Sequence, residues 1–307
     1  MSMPNNAFKQ ISNNLPFSSA SDSENNKTIN FFNKKQKNKD LSESLKYFIK
    51  KDFVNTIESS LKLLSNDSNP KALYVMLIYS YLKTKNYQRA FFLLQKALKE
   101  YNNSPSLYWL SGRFYLEKEK FSLALKNFKI ALNLLTNKRN ISSLDPDEFN
   151  IKQKKRISII LSDIGKLYSK KFDYYRSLLY FKKALLFHPI SRITYKRLAY
   201  LFFKIANSYS ALNQFKSENQ TESEFKKYLF KKAIKFFSLS LSIYDERLNC
   251  FVYYWQGVSY FNIGDFKKAA ECFYNVLAIS EKYSFNSSYI PYSRALLDFC
   301  LKNSKNL

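Results

Sequence analysis

Residues 72–98, ALYVMLIYSYLKTKNYQRAFFLLQKAL, and residues 106–132, SLYWLSGRFYLEKEKFSLALKNFKIAL, carry one pattern 34 residues apart. Tyr74, Tyr81, Ala90, Leu94 and Ala97 return as Tyr108, Tyr115, Ala124, Phe128 and Ala131. A period of this length, with small residues at fixed places and aromatics at others, is the mark of stacked helical hairpins. In the first helix of each unit a small residue such as Gly112 lets the partner helix approach, and in the second helix alanines mark the crossings.

The pattern continues outward. Leu161, Ile164, Gly165, Tyr168, Ser177, Phe181, Ala184 and Pro189 fill the same places one period and a spacer later, with the spacer at residues 139–157. Tyr195, Leu198, Ala199 and Phe202 open a fourth unit, whose second helix is displaced to Ala233, Phe237 and Ser240 by an insertion at about residues 206–227. Tyr253, Gly257, Tyr260, Gly264, Asp265, Phe266, Ala269, Phe273 and Val276 form a regular fifth. A degenerate first unit over residues 37–70 brings the count to six. Lys85-Asn86, Phe172-Asp173 and Gly264-Asp265 read as turns, where Asn and Asp tolerate turn dihedrals and cap the next helix.

These registers resemble the tetratricopeptide repeat (TPR) family over residues 71–283, so the expected fold is all-α, a TPR-like superhelical solenoid of antiparallel helix pairs. Residues 1–40, rich in Asn, Ser and Lys, read as a disordered tail, residues 41–283 as the solenoid forming one folded body, and residues 284–307 as a capping helix and tail. The resemblance implies that places on the first helix of each repeat line a partner-binding groove. Here these are Val75, Tyr79 and Leu82; Trp109 and Arg113; Lys166 and Lys170; Lys196, Tyr200 and Phe203; and Tyr254, Val258 and Phe261. Such a groove, aromatic at both ends and lysine-rich in the middle, suits protein subunits or peptide segments of apolar and acidic character. The alternative is that these aromatics pack against neighbouring helices. The Lys and Asn set with which some TPR proteins clamp chaperone C-termini is absent: Val75, Tyr79 and Leu110 stand at its places.

RLAYLFFKIA at 197–206, a polar interruption, and KKAIKFFSLSLSIYDERLNCFVYYWQG at 231–257 resemble the late region of the TPR subunit, subunit 2, of the endoplasmic reticulum membrane protein complex. That resemblance implies a cytosolic scaffold cradling segments of membrane subunits, in the cytoplasm or peripheral on the cytosolic face of the endoplasmic reticulum. Alternatives are a scaffold in another cytosolic or nuclear assembly, such as a ubiquitin ligase, or a basic RNA or anionic-surface binder.

The net charge of +26 raises the last possibility, yet only nine of the 50 basic residues are Arg, the preferred phosphate ligand. Lys, Asn, Ile, Phe and Tyr are enriched together, as an A+T-rich coding sequence would produce, so most of the charge reads as compositional drift and nucleic acid is the less favoured partner. No apolar run approaches the roughly 18 residues a membrane span needs, and the N-terminal residues do not read as a secretory signal. Cys250, Cys272 and Cys300 read as reduced and buried. Chemistry is not expected: His188 is the only histidine, phosphate-binding glycine motifs are missing, and the pairs Asp145/Asp147 and Asp245/Glu246 fall on loops. The reading is therefore of a protein that is not an enzyme and binds no cofactor or metal.

Overall fold

The computed structural model describes residues 41–64, 71–137, 139, 144–212, 220–242, 249–283 and 288–304. The expected disordered tail, the centre of the insertion, the Asp245/Glu246 pair and the last three residues lie outside them. Among the described residues the α-helices are α1 (41–49), α2 (Phe53–Leu64), α3 (Lys71–Lys83), α4 (Tyr87–Glu100), α5 (Pro105–Glu117), α6 (Phe121–Leu135), α7 (Ile151–Lys170), α8 (Tyr174–Phe187), α9 (Arg192–Leu212), α10 (Gln220–Leu241), α11 (Asn249–Asn262), α12 (Phe266–Lys282) and α13 (Tyr289–Ser304). There is no strand among them, and the fold is an all-α, TPR-like solenoid of antiparallel helix pairs.

One device makes the turns. Lys51, Lys85, Glu119, Phe172 and Gly264 adopt φ of 62°, 60°, 56°, 61° and 85°. The N–H of the next residue, Asp52, Asn86, Lys120, Asp173 or Asp265, donates to the carbonyl of Tyr47, Tyr81, Tyr115, Tyr168 or Tyr260, five residues back. This left-handed C-terminal cap satisfies the carbonyls that a helix end leaves open. Asp52, Asp173 and Asp265 then cap the following helix, their carboxylates accepting from the N–H of Asn55, Arg176 and Lys268 at 3.2, 3.0 and 3.2 Å. The degenerate first unit is thus a hairpin of the same make, with Thr56 buried where later units place Ala or Ser.

The hairpins interlock where the sequence puts glycine. A Cβ on Gly112 would stand 2.5 Å from the ring of Phe128, one on Gly165 2.6 Å from Phe181, and one on Gly257 2.9 Å from Phe273. The three rings are fully buried. Ser177, at an alanine place, donates its hydroxyl to the carbonyl of Gly165 at 2.8 Å. Ala233, Phe237 and Ser240 are fully buried as well, which bears out the displaced register of the fourth repeat.

Two expectations change. The described residues divide into two compact units, one ending at Asn86 and the other beginning at Tyr87, rather than one body. Because each repeat contacts only its neighbours, a solenoid has no central core to tie it together. The spacer ends at residue 150 rather than 157. Asn150 and Gln153 form a reciprocal capping box, Asn150 Oδ1 accepting from Gln153 N at 2.9 Å, and this starts α7 at Ile151. The flanks of the insertion extend the helices on either side, as their composition suggests, α9 running to Leu212 and α10 starting at Gln220.

In the second unit α6 packs on α7, α8 on α9 and α10 on α11, while the first helices α5, α7, α9 and α11 touch in succession. α13 packs on α12 and buries Cys300 beside Ala269, Ala270 and Phe273, as a capping helix does.

Candidate functional site

The first helices α5, α7, α9 and α11 bring most of the expected groove residues of the second unit onto one face. Its first part is polar. The Trp109 indole N–H donates to Asp163 Oδ2 at 2.6 Å, and Arg197 donates to Asp163 Oδ1 at 2.5 Å and to Ser162 Oγ at 2.8 Å. Arg113 lies over the Trp109 ring at 5.1 Å. The Asp163 side chain is 2% exposed. Burial pushes its carboxyl up, but Arg197, Arg113, the Trp109 hydrogen bond and Lys166 together outweigh burial and hold it below the usual range. Both oxygens are occupied by donors, so Asp163 is a structural anion rather than a general base.

Lys166 and Lys170 are not open to a ligand as expected. Lys166 pairs with Glu117 at 2.8 Å and Lys170 with Glu119 at 3.3 Å. Burial pushes the Glu117 carboxyl up, yet the Lys166 hydrogen bond and charge, with Lys170 and Arg113, bring it below its ordinary value. Burial also lowers Lys166 against the pull of Glu117, an opposing preference. The contact geometry favours the ionised form of both, and we read an ion pair. The middle of this face is therefore largely self-neutralised.

Further along, the face turns aromatic. Tyr200 meets Trp255 edge-on at 5.2 Å and Phe251 at 5.8 Å, and Tyr254 lies 5.0 Å from Trp255 and 4.7 Å from Tyr289. Lys196 sits over the Phe251 ring at 5.2 Å. Tyr200, Trp255 and Tyr254 are half-buried. Phe203, expected in the groove, is a core residue: it is 4% exposed and packs on Phe230 and Trp255. Val258 is half-buried between two clusters, and Phe261 packs on Phe266 and Phe299 beneath the cap. In the first unit Leu82 is buried, Val75 is half-buried, and Tyr79 is engaged by Phe48 and Phe53.

A cleft of about 120 Å³ opens beside Trp109, lined by Pro105, Ser106, Leu135, Arg156, Ile159 and Ile160. Sequence reasoning missed this cleft, along with Asp163, Arg197 and Trp255. The Asp163–Arg197 pair had a readable signal: the two residues are 34 apart, hence at one place in successive repeats, and opposite in charge.

Among the described residues no three His, Cys, Asp or Glu side chains gather as a metal site requires, and no helix is long and apolar enough to cross a membrane. The Asp145/Asp147 pair is structural, Asp145 capping a single 3-10 turn at Pro146–Glu148 and Asp147 pairing with Lys154 at 2.7 Å. The three cysteines are buried, and burial pushes the Cys272 thiol up to about 12, the charges of Glu271 and Asp265 adding to it.

The sequence matches no protein-family model and no curated protein. Solved structures are similar in fold. PilF of Pseudomonas aeruginosa superposes with a TM-score of 0.51 at 14% identity, over 85% of this chain and 98% of that one. PilW, a widely conserved type IV pilus biogenesis factor, gives 0.53 at 14% identity, over 83% and 97%. At such identity the likeness is one of fold alone, a solenoid of TPR-like helix pairs.

Proposed function

We propose that this chain is a noncatalytic scaffold that binds a segment of a partner protein along the face of α5, α7, α9 and α11. The observation that carries this reading is the run of half-buried aromatics Tyr200, Trp255 and Tyr254 on adjacent helices, the side-chain type that anchors interfaces. The pairing of Lys166 and Lys170 with glutamates weighs against a polyanion in the middle of the face. The test is affinity purification of the full chain beside Tyr200→Ala/Tyr254→Ala. A stoichiometric partner recovered with the wild type and lost from a variant that still unfolds cooperatively supports the reading, while full recovery by the variant removes these residues from the interface.

A finer reading is the cytosolic TPR scaffold of the endoplasmic reticulum membrane protein insertion complex. It is favoured by the fourth repeat, whose helices of 21 and 22 residues flank the interruption that carries the resemblance. Purification in mild detergent separates the possibilities: membrane proteins of the endoplasmic reticulum should copurify. A soluble set of subunits, as from a ubiquitin ligase, leaves the scaffold and discards the membrane complex. Affinity that collapses with salt points to nucleic acid or an anionic surface.

A further inference from the structure

We propose that the cleft beside Trp109 receives one aliphatic side chain of a partner peptide, and that Arg156 at its rim holds a carboxylate next to that side chain. The inference rests on the scaffold reading and adds the place and chemistry of one anchor. The walls are Pro105, Trp109, Leu135, Ile159 and Ile160, with Ser106 and Arg156 as the polar lining and no carboxylate among them. About 120 Å³ holds a few waters or one branched aliphatic side chain. Water there finds few hydrogen-bond partners, so an apolar group that displaces it gains affinity.

The charge at the rim sets the second half of the recognition. Lys154 is taken by Asp147, Lys166 by Glu117 and Lys170 by Glu119. Arg156 is exposed and has no ion-pair partner among the described residues, and the same holds for Lys152 and Lys155 on the same two helical turns. Open positive charge on α7 is thus concentrated at the cleft, where a guanidinium can grip a carboxylate through two hydrogen bonds. Those turns exist because α7 runs 20 residues where α5 runs 13. The departure from the regular repeat supplies the recognising residue. An Asp or Glu side chain and a free C-terminus share the carboxylate chemistry.

The experiment uses the chain's two tryptophans, Trp109 and Trp255, as separate reporters. Short random peptides, displayed with free or blocked C-termini, are selected on the full chain, and the selected peptides are titrated into ¹⁵N-labelled protein while the two indole N–H resonances are followed. The expected selection is an aliphatic residue beside Asp, Glu or a free C-terminus, the blocked arm telling side chain from terminus. The Trp109 resonance shifts, Arg156→Glu weakens binding by about tenfold or more, and Ser106→Phe, which fills the cleft, abolishes the Trp109 shift. Peptides that shift only Trp255 and bind Arg156→Glu as they bind wild type overturn the cleft and leave the scaffold face standing. Selection with neither an acidic side chain nor a dependence on a free C-terminus also overturns the inference. Failure to select any peptide that moves either indole overturns both readings, and an oligonucleotide that shifts Trp109 where peptides do not assigns the cleft to phosphate instead.

Discussion

The joint of α5, α7 and α9 and the joint of α9, α11 and α13 are built alike inside their hairpins and differently on the face between them. Gly165 against Phe181 and Gly257 against Phe273 set the helix approach in the two cases. The first joint is held by a buried carboxylate among two arginines and an indole, the second by Tyr200, Phe251, Trp255, Tyr254 and Tyr289. Hairpin geometry is thus settled by small residues and phenylalanines, which frees the first-helix face to carry charge in one place and aromatic surface in another. The two solutions should fail differently, because a buried charge that loses its partner is destabilising in a way that an emptied aromatic contact is not.

The largest effect is expected at the charged joint. Asp163→Ala should cost about 3–5 kcal/mol, read as a shifted urea midpoint, because it strands Arg197 beside Arg113. The double change Asp163→Leu/Arg197→Met should recover much of that loss. A double variant as unstable as Asp163→Ala would show that stranded charge is not the cause. The same joint should respond to acid. The folded pKa of Asp163 lies below its unfolded value near 4, so its contribution is complete above about pH 4 and is lost as pH falls further. The stability gap between wild type and Asp163→Asn should therefore close below pH 4, whereas a gap caused by Trp255→Ala should not track this titration.

Trp255→Ala itself should cost roughly 2–3 kcal/mol, less than a fully buried tryptophan because the ring is only half-buried. The glycines come next. Alanine at Gly112 or Gly165 should cost about 1–2 kcal/mol net of its helix preference, and alanine at Gly257 somewhat less, following would-be contacts of 2.5, 2.6 and 2.9 Å. Thermal unfolding of the three variants checks the order, and a Gly257 variant weaker than the other two would break the claim of a common hairpin lock. Glu117→Gln should be smallest, at most about 1 kcal/mol, since its ion pair with Lys166 is about one-third exposed and screened by water.

Local patterns made the hairpins legible. Tyr81, Tyr115, Tyr168 and Tyr260 mark the places whose carbonyls receive the turn N–H, and Tyr47 marks it in the first, degenerate unit. The candidate face was half legible. Trp109, Tyr200 and Tyr254 were found because first-helix places repeat, but Phe203 turned inward and Lys166 and Lys170 met glutamates from α5 and the turn after it. A free lysine and a paired one look identical along the chain, since the partner is a whole repeat and a spacer away.

The amino-acid sequence by itself determined that this chain forms helix pairs, where each pair turns and which small residues sit under which rings, because those are matters of neighbours within one period. Tertiary structure decided the pairing of Lys166 and Lys170 with glutamates, the burial of Asp163 and the cleft beside Trp109. These depend on side chains brought together from different repeats, and neither period nor composition records which partner each one meets.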